Sequence, residues 1–203
     1  MKRYSLVLLT AGLLLAGCGS GQHSAHHPPG HGAHPEPAPA AASAPGAAGE
    51  FNPADVMFLQ MAIIHHNQGV EIAKLAKSHD TRKEVSELAA AIEVTQLSEV
   101  GTMTDWLRRW NQPVETSMDP NSHAEHGGLP LTSPDQIAEL AATTGAEFET
   151  RFLSMLTGHQ HGAVEMAQHE AKDGASPDAK GLANRIVESR TAQIQQMLTL
   201  MDR

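Results

Sequence analysis

Two stretches of this chain can be laid on each other without a gap. FLQMAIIHHNQGVEIA, Phe58 to Ala73, and FLSMLTGHQHGAVEMA, Phe152 to Ala167, agree at seven of sixteen positions, where chance gives about one. The same offset of 94 pairs Leu88, Ala89, Ile92 and Met103 with Leu182, Ala183, Ile186 and Met197. It also sets Asp55 opposite Glu149, Val100 opposite Ile194 and Leu107 opposite Met201. One offset serving two separated segments means that a whole unit was duplicated, so whatever the first half folds into, the second folds into again.

Each unit reads as helix–turn–helix. Asn52-Pro53 supplies an N-cap and a first-turn proline for a helix running to about Lys77. Ser78-His79-Asp80 makes the turn, and a second helix runs from about Thr81 to Trp110, stopping before Pro113. A polar, Gly/Pro-rich linker follows, from Asn111 to Leu131. Ser133-Pro134 opens a short helix that Gly145 is expected to end. The third main helix spans about Ala146 to Lys172 with Gly174 as its C-cap signal, and the fourth runs from about Pro177 to Met201. Aromatic residues are only 3 % of the chain, too few for the core of a large β-sandwich. The expected fold is all-α: a four-helix bundle of two tandem hairpins, repeat 1 over about 52–111 and repeat 2 over about 133–203, joined by 112–132.

The N-terminus reads as an address. Lys2 and Arg3 precede an apolar run, Leu6 to Ala16, that is shorter than the roughly 20 residues of a membrane span. It fits the core of a secretory signal. Leu15-Ala16-Gly17-Cys18 resembles a bacterial lipobox, which makes 1–17 a signal peptide and Cys18 the acylated residue. The domain is then held to a membrane through lipid, in the cell envelope and outside the cytoplasm. Residues 18–50 are rich in Pro, Ala and His and have no periodic apolar face, so they read as a disordered tether. Its His23, His26, His27, His31 and His34 can capture metal ions loosely. Cys18 is the only cysteine, and once acylated it leaves no thiolate for catalysis, zinc ribbons, iron–sulfur clusters or haem attachment. A formal net charge of −9 argues against nucleic acid as a partner.

Metal chemistry must therefore come from Met and His. Phe58, Met61, His65 and Ile72 fall on one apolar stripe, and Phe152, Met155, His159 and Met166 on its copy. His65 and His159 should face the interior, each with a Met one turn earlier, so the bundle can bring two such pairs together. Met103 and Met197 hold equivalent places on the second helices. His66, His161 and His169 are additional imidazoles nearby, whereas Glu71 and Glu165 lie on another face. His123 and His126 in the linker read as solvated loop. A lone His on an apolar stripe is more often a core residue than a ligand, and Met at helical spacing more often packing. The recurrence at one register raises the metal reading. Thioether and imidazole without thiolate suit copper, above all copper(I). No Glu-x-x-His occurs, which removes the di-iron carboxylate bundle, and no His-Glu-x-x-His occurs, which removes the usual metalloprotease. With no nucleophile–base pair or phosphate loop visible, the chain is expected to bind rather than catalyse. The competing reading is a metal-free envelope structural or protein-interaction module.

DVMFLQMAIIHHNQGVEIA and FETRFLSMLTGHQHGAVEMA resemble the bacterial domain of unknown function 305 family, whose members show Asp-x-x-Phe-x-x-x-Met, then a His-His pair and a Met-Ala ending. The segment from Ile92 to Trp110, with Gln96, Met103 and Trp106-Leu107, is similar to that family's second helix. The resemblance covers about Asn52 to the C-terminus. It implies a ferritin-like four-helix bundle, often exported, with some members linked to copper binding and resistance. The family's His pair falls on His65 and His66 in the first copy, and on His159 and Gln160 in the second, where His161 follows one position later. Ala62, Ile72 and Leu156 stand where the family often has a further Met, while Met166 keeps its place. The anchor reading is tested by fractionation: Cys18→Ser should move the chain from the membrane to the soluble fraction, and retention at the membrane would contradict it.

Overall fold

The computed structural model describes residues 50–117 and 128–203; Cys18, the tether histidines, His123 and His126 lie outside them. The described residues form five helices and no strand: α1 Pro53–Ser78, α2 Lys83–Arg109, α3 Pro134–Ala142, α4 Gly145–Asp173 and α5 Pro177–Met201. α1 packs with α2 and α4 with α5, and α1 lies against α4 to join the hairpins. The short α3 sits on α4.

α1 begins where the sequence places it. The Asn52 side chain accepts from the Asp55 amide at 3.0 Å, and Asp55 accepts from the Asn52 amide at 2.6 Å, a reciprocal box behind Pro53. Two glycines act differently from expectation. α3 ends at Ala142 with Thr143 as its cap, and Gly145 instead opens α4 in the left-handed region at φ 62°, where a side chain would be strained. Gly174 does cap α4, but in extended geometry (φ −68°, ψ 157°) rather than left-handed. A Cβ there would lie 2.3 Å from Oε1 of Glu170, so this glycine makes room for a carboxyl.

α1 and α4 are antiparallel. Asn52 Nδ2 at the start of α1 donates to the Asp173 carbonyl at the end of α4, 2.9 Å away. At the other end the His79 ring stacks on Phe148 with centroids 3.7 Å apart. The duplication then produces a reciprocal clasp. Buried Asp55 accepts from the amides of Ala175 and Ser176, the latter at 2.9 Å, at the start of α5. Its repeat partner Glu149 accepts from the Arg82 amide at 2.8 Å and from Arg82 Nε at 2.5 Å, at the start of α2. Arg82 has no side-chain oxygen of its own with which to cap α2. Each hairpin's first helix therefore caps the other's second helix, supplying acceptors to amides a helix leaves unpaired.

The apolar interior falls into two clusters. One holds Ile72, Val85, Leu88, Ile92, Phe148, Phe152, Leu156 and Met197; the other holds Phe58, Leu59, Met61, Met103, Leu107, Met166, Leu182 and Ile186. Removing the buried acceptor should cost most. Asp55→Ala is expected to lower unfolding free energy by about 2–3 kcal/mol, measured by urea denaturation. Glu149→Ala, facing the half-exposed Arg82, should cost about 1 kcal/mol. Equal losses at the two sites would contradict the unequal burial of the clasps.

Candidate metal centre

A layer of buried polar side chains lies between the two apolar clusters, and the duplication explains its pattern. His66 lies 2.9 Å from Glu99 through Nε2, and Arg190, with no exposed surface, pairs with the same Glu99 oxygen. At the offset of 94, His66, Glu99 and Arg190 correspond to Gln160, Gln193 and Gln96. Those three are also bonded: Gln160 Nε2 donates to Gln193 Oε1 at 2.5 Å, and Gln96 Nε2 to Gln160 Oε1 at 3.2 Å. Three equivalent residues are thus linked twice, once charged and joined on Glu99, and once as neutral amides joined on Gln160.

His65 and His159, themselves repeat partners, meet at the centre. Their rings stack with centroids 3.8 Å apart and planes 15° from parallel, and His159 Nε2 donates to the His65 carbonyl at 3.1 Å. Two glycines admit the pair. A Cβ on Gly69 would lie 2.9 Å from His159 Nε2, and one on Gly162 would lie 3.2 Å from His65 Nε2. Beside Met155 and Gly158, a cleft of about 700 Å³ reaches His159 from the side of α3.

The electrostatics keep these imidazoles neutral. Burial pushes His65 well down, and the neighbouring rings of His159 and His66 and the Arg190 guanidinium push the same way, against the pull of the Pro130 backbone. Burial takes His159 down to about 4, against the pull of the His65 carbonyl. His66 is lowered by burial too, with Glu99 opposing. Burial alone would raise Glu99, but the hydrogen bond from His66 and the Arg190 charge outweigh it and hold the carboxyl below its ordinary value. An ionised carboxylate only accepts, so the contact with Glu99 puts the His66 proton on Nε2, beside the Arg190 guanidinium 3.4 Å away, and leaves Nδ1 as the unprotonated nitrogen, with the Ala62 backbone nearby. By the same reasoning His159 is protonated on Nε2. His66 Nδ1, His159 Nδ1 and both nitrogens of His65 are buried without a hydrogen bond of normal geometry.

A family model, Domain of unknown function (DUF305), matches residues 55–201. The chain belongs to this family. A DUF305 protein from Streptomyces coelicolor is 30 % identical with a TM-score of 0.68, the match covering 72 % of this chain and 91 % of that one. A DUF305 fragment from Deinococcus radiodurans is 27 % identical (TM-score 0.67, 75 % and 97 % covered). CopM, solved in a Cu(I)-bound form, is 25 % identical (TM-score 0.59, 73 % and 95 % covered). No protein of curated function matches the chain.

In this DUF305 bundle the residues singled out from sequence are only partly gathered. His65, His66 and His159 share the central layer. Met61 and Met155 each stand one turn before a His, but on antiparallel helices one turn leads to opposite ends. Met61 and Met103 therefore join one apolar cluster, and Met155 and Met197 the other. His161 is exposed, its Nδ1 donating to the Thr157 carbonyl at 2.9 Å. Glu71 and Glu165 are exposed, as their spacing indicates. Among the described residues no three His, Cys, Asp or Glu converge to hold a metal ion. Sequence reasoning missed Glu99, Arg190 and Gln193. Arg190 was detectable, because Ile186, Arg190, Ile194 and Met197 form one stripe and a cation interrupts it.

The neutral imidazoles have a pH signature in the metal-free protein. An unfolded chain takes up protons on these three His below about pH 6.5, whereas folded His159 waits until about 4. Stability is therefore lost as pH falls through that window. Glu170 slopes the other way: burial and the neighbouring Asp55 carboxylate push it up to about 9 from an ordinary 4.5. The folded state keeps that proton and loses stability as pH rises from 4.5 to 9. Urea unfolding should show greatest stability near pH 6.5, with a shallower acid arm in His159→Gln and a flatter alkaline arm in Glu170→Gln. No loss between pH 6.5 and 4.5 would contradict the neutral His core.

Proposed function

We propose that this protein binds copper in the cell envelope, held to a membrane through lipid on Cys18, and that His65 and His66 receive the ion in the bundle core. The observation that carries the reading is the set of buried ring nitrogens without a hydrogen bond of normal geometry, in side chains already neutral. An imidazole must be neutral to ligate, so a site that depresses its proton affinity has met that cost in advance. Glu99 adds the usual support of a metal-binding His: it takes the far N–H of His66, fixes the tautomer and leaves Nδ1 for the metal. The His65 and His66 centroids are 6.4 Å apart, and metal–nitrogen bonds of about 2 Å set two rings on opposite sides of one ion about 6 Å apart. CopM, similar in fold, is known in Cu(I)- and Cu(II)-bound forms, which supports copper as the ion. The His tether would add capacity, and the chain would act by holding and passing on copper rather than by catalysis.

One observation favours a metal-free role. The Gln160–Gln193–Gln96 set links the same positions with amides alone, so such a layer can be purely structural. Melting temperature separates the readings, because an ion captured by the tether does not stabilise the fold, whereas one held in the core does. Anaerobic Cu(I) should raise the melting temperature of the mature chain. The rise should shrink in His66→Gln, a change the second repeat already accommodates at Gln160, and Glu99→Gln should weaken core affinity about 10- to 100-fold. A rise of the same size in all three proteins would exclude His66 as the ligand.

A further inference from the structure

Soft donors also gather at a second place, away from the His layer. Where the start of α1 lies against the end of α4, Met57, Met61, Met166, His169, Glu170 and Asp173 line a cavity of about 60 Å³. Met57 and Met61 are one turn apart on α1, and Met166 and His169 one turn apart on α4, so each helix offers two donors from one face. A water takes about 30 Å³ and organic ligands need upwards of about 300 Å³. The cavity therefore has room for an ion and little else.

The duplication supplies an internal control. At the offset of 94, Met57, Met61, Met166 and His169 become Arg151, Met155, Ile72 and Leu75. At that other end the same helix pair packs with hydrocarbon at two of these positions and carries a cation at a third. The fourth keeps a thioether, Met155, so the fold does not require three thioethers or an imidazole there. The two ends also differ in charge. Asp173 lines the donor-rich cavity and Asp55 lies beside its Glu170, which favours a cation, while at the other end Arg151 stands where Met57 does here. His169 is exposed and Met166 buried, so the donors run from the surface inwards and provide a way in.

We propose that this cavity is a binding site for a soft monovalent cation, Cu(I) or Ag(I), held by the thioether sulfurs of Met57, Met61 and Met166 and a ring nitrogen of His169. It deepens the copper reading but is separate from His65 and His66. Thioether sulfur selects soft ions over Zn(II) or Mg(II), so this site adds selectivity for the reduced ion, which the His tether does not provide.

The test uses the mature chain labelled with ¹³C at the Met methyls. Ag(I), and Cu(I) under anaerobic conditions, should shift the Met57, Met61 and Met166 methyl signals together, saturating at one ion, while buried Met103 and Met197 stay in place. Zn(II) should leave all of them unmoved. The packing-conserving triple change Met57→Leu, Met61→Leu and Met166→Leu should remove one bound ion, and His169→Asn should weaken it at least about tenfold. In His66→Gln the three methyl shifts should persist, which keeps this site's failure distinct from that of the His pair. Unmoved methyls under saturating Ag(I), equal response to Zn(II), undiminished binding in the triple variant, or loss of the shifts in His66→Gln would each overturn the proposal.

Discussion

A guanidinium with no exposed surface cannot shed its proton and has to be paired, since an uncompensated buried charge costs several kcal/mol. Arg190 puts that constraint on the whole bundle. It brings the carboxylate of Glu99 on α2 within reach of α5, and Glu99 in turn accepts the N–H of His66 on α1. Three helices are registered by one chain of polar contacts. α2 and α5, which belong to different hairpins, meet there through long side chains. On the other side of the repeat relation the equivalent residues Gln96, Gln160 and Gln193 are joined through Gln160, where no charge has to be balanced. The two apolar clusters lie on either side of this layer, and the carboxylates of Asp55 and Glu149 bind the hairpins at the two ends.

The charged and amide sets differ in what they leave open. Gln160 spends its amide on Gln193 and Gln96, and nothing on that side is a ligand for a soft or borderline metal. His66 spends only one nitrogen on Glu99. The electrostatics that satisfy Arg190 therefore also orient a neutral imidazole whose other nitrogen makes no hydrogen bond of normal geometry, beside a second ring, His65, whose nitrogens make none either. A structural demand and the proposed binding site are met by the same atoms. Duplication makes this possible: one copy can keep the fold's hydrogen bonding with amides while the other acquires chemistry. The ends of the α1–α4 pair also differ, with Arg151, Met155, Ile72 and Leu75 at one and three thioethers with an imidazole at the other.

Much of this was legible in the sequence, because the offset of 94 fixes which residues are equivalent and the apolar stripes fix which face is buried. Helix limits came within a few residues for α1, α4 and α5, where Asn52-Pro53, Gly174 and Pro177 punctuate the chain. His65 and His159 were rightly turned inwards. Spacing along one helix, however, does not say which residue lies opposite on another. The two Met/His pairs looked able to converge, yet antiparallel packing joins the His rings and sends Met61 and Met155 to opposite ends. For the same reason Asp55 and Glu149 were recognisable as counterparts but not as caps on each other's hairpins, and Met57 was not connected with His169. Gly145 was read as a stop signal, although its left-handed φ serves to start the next helix.

The central claim is that the bare nitrogens of a neutral, buried His pair are where this bundle takes copper. Anomalous diffraction from crystals of the Ag(I)-loaded protein tests it most directly, because silver marks its position without redox change. A peak within about 2.0–2.3 Å of ring nitrogens of His65 and His66, with the Glu99 contact to His66 intact, is the result this account predicts. Silver found only at the surface or the tether, with the His65–His159 stack undisturbed at full loading, would contradict it.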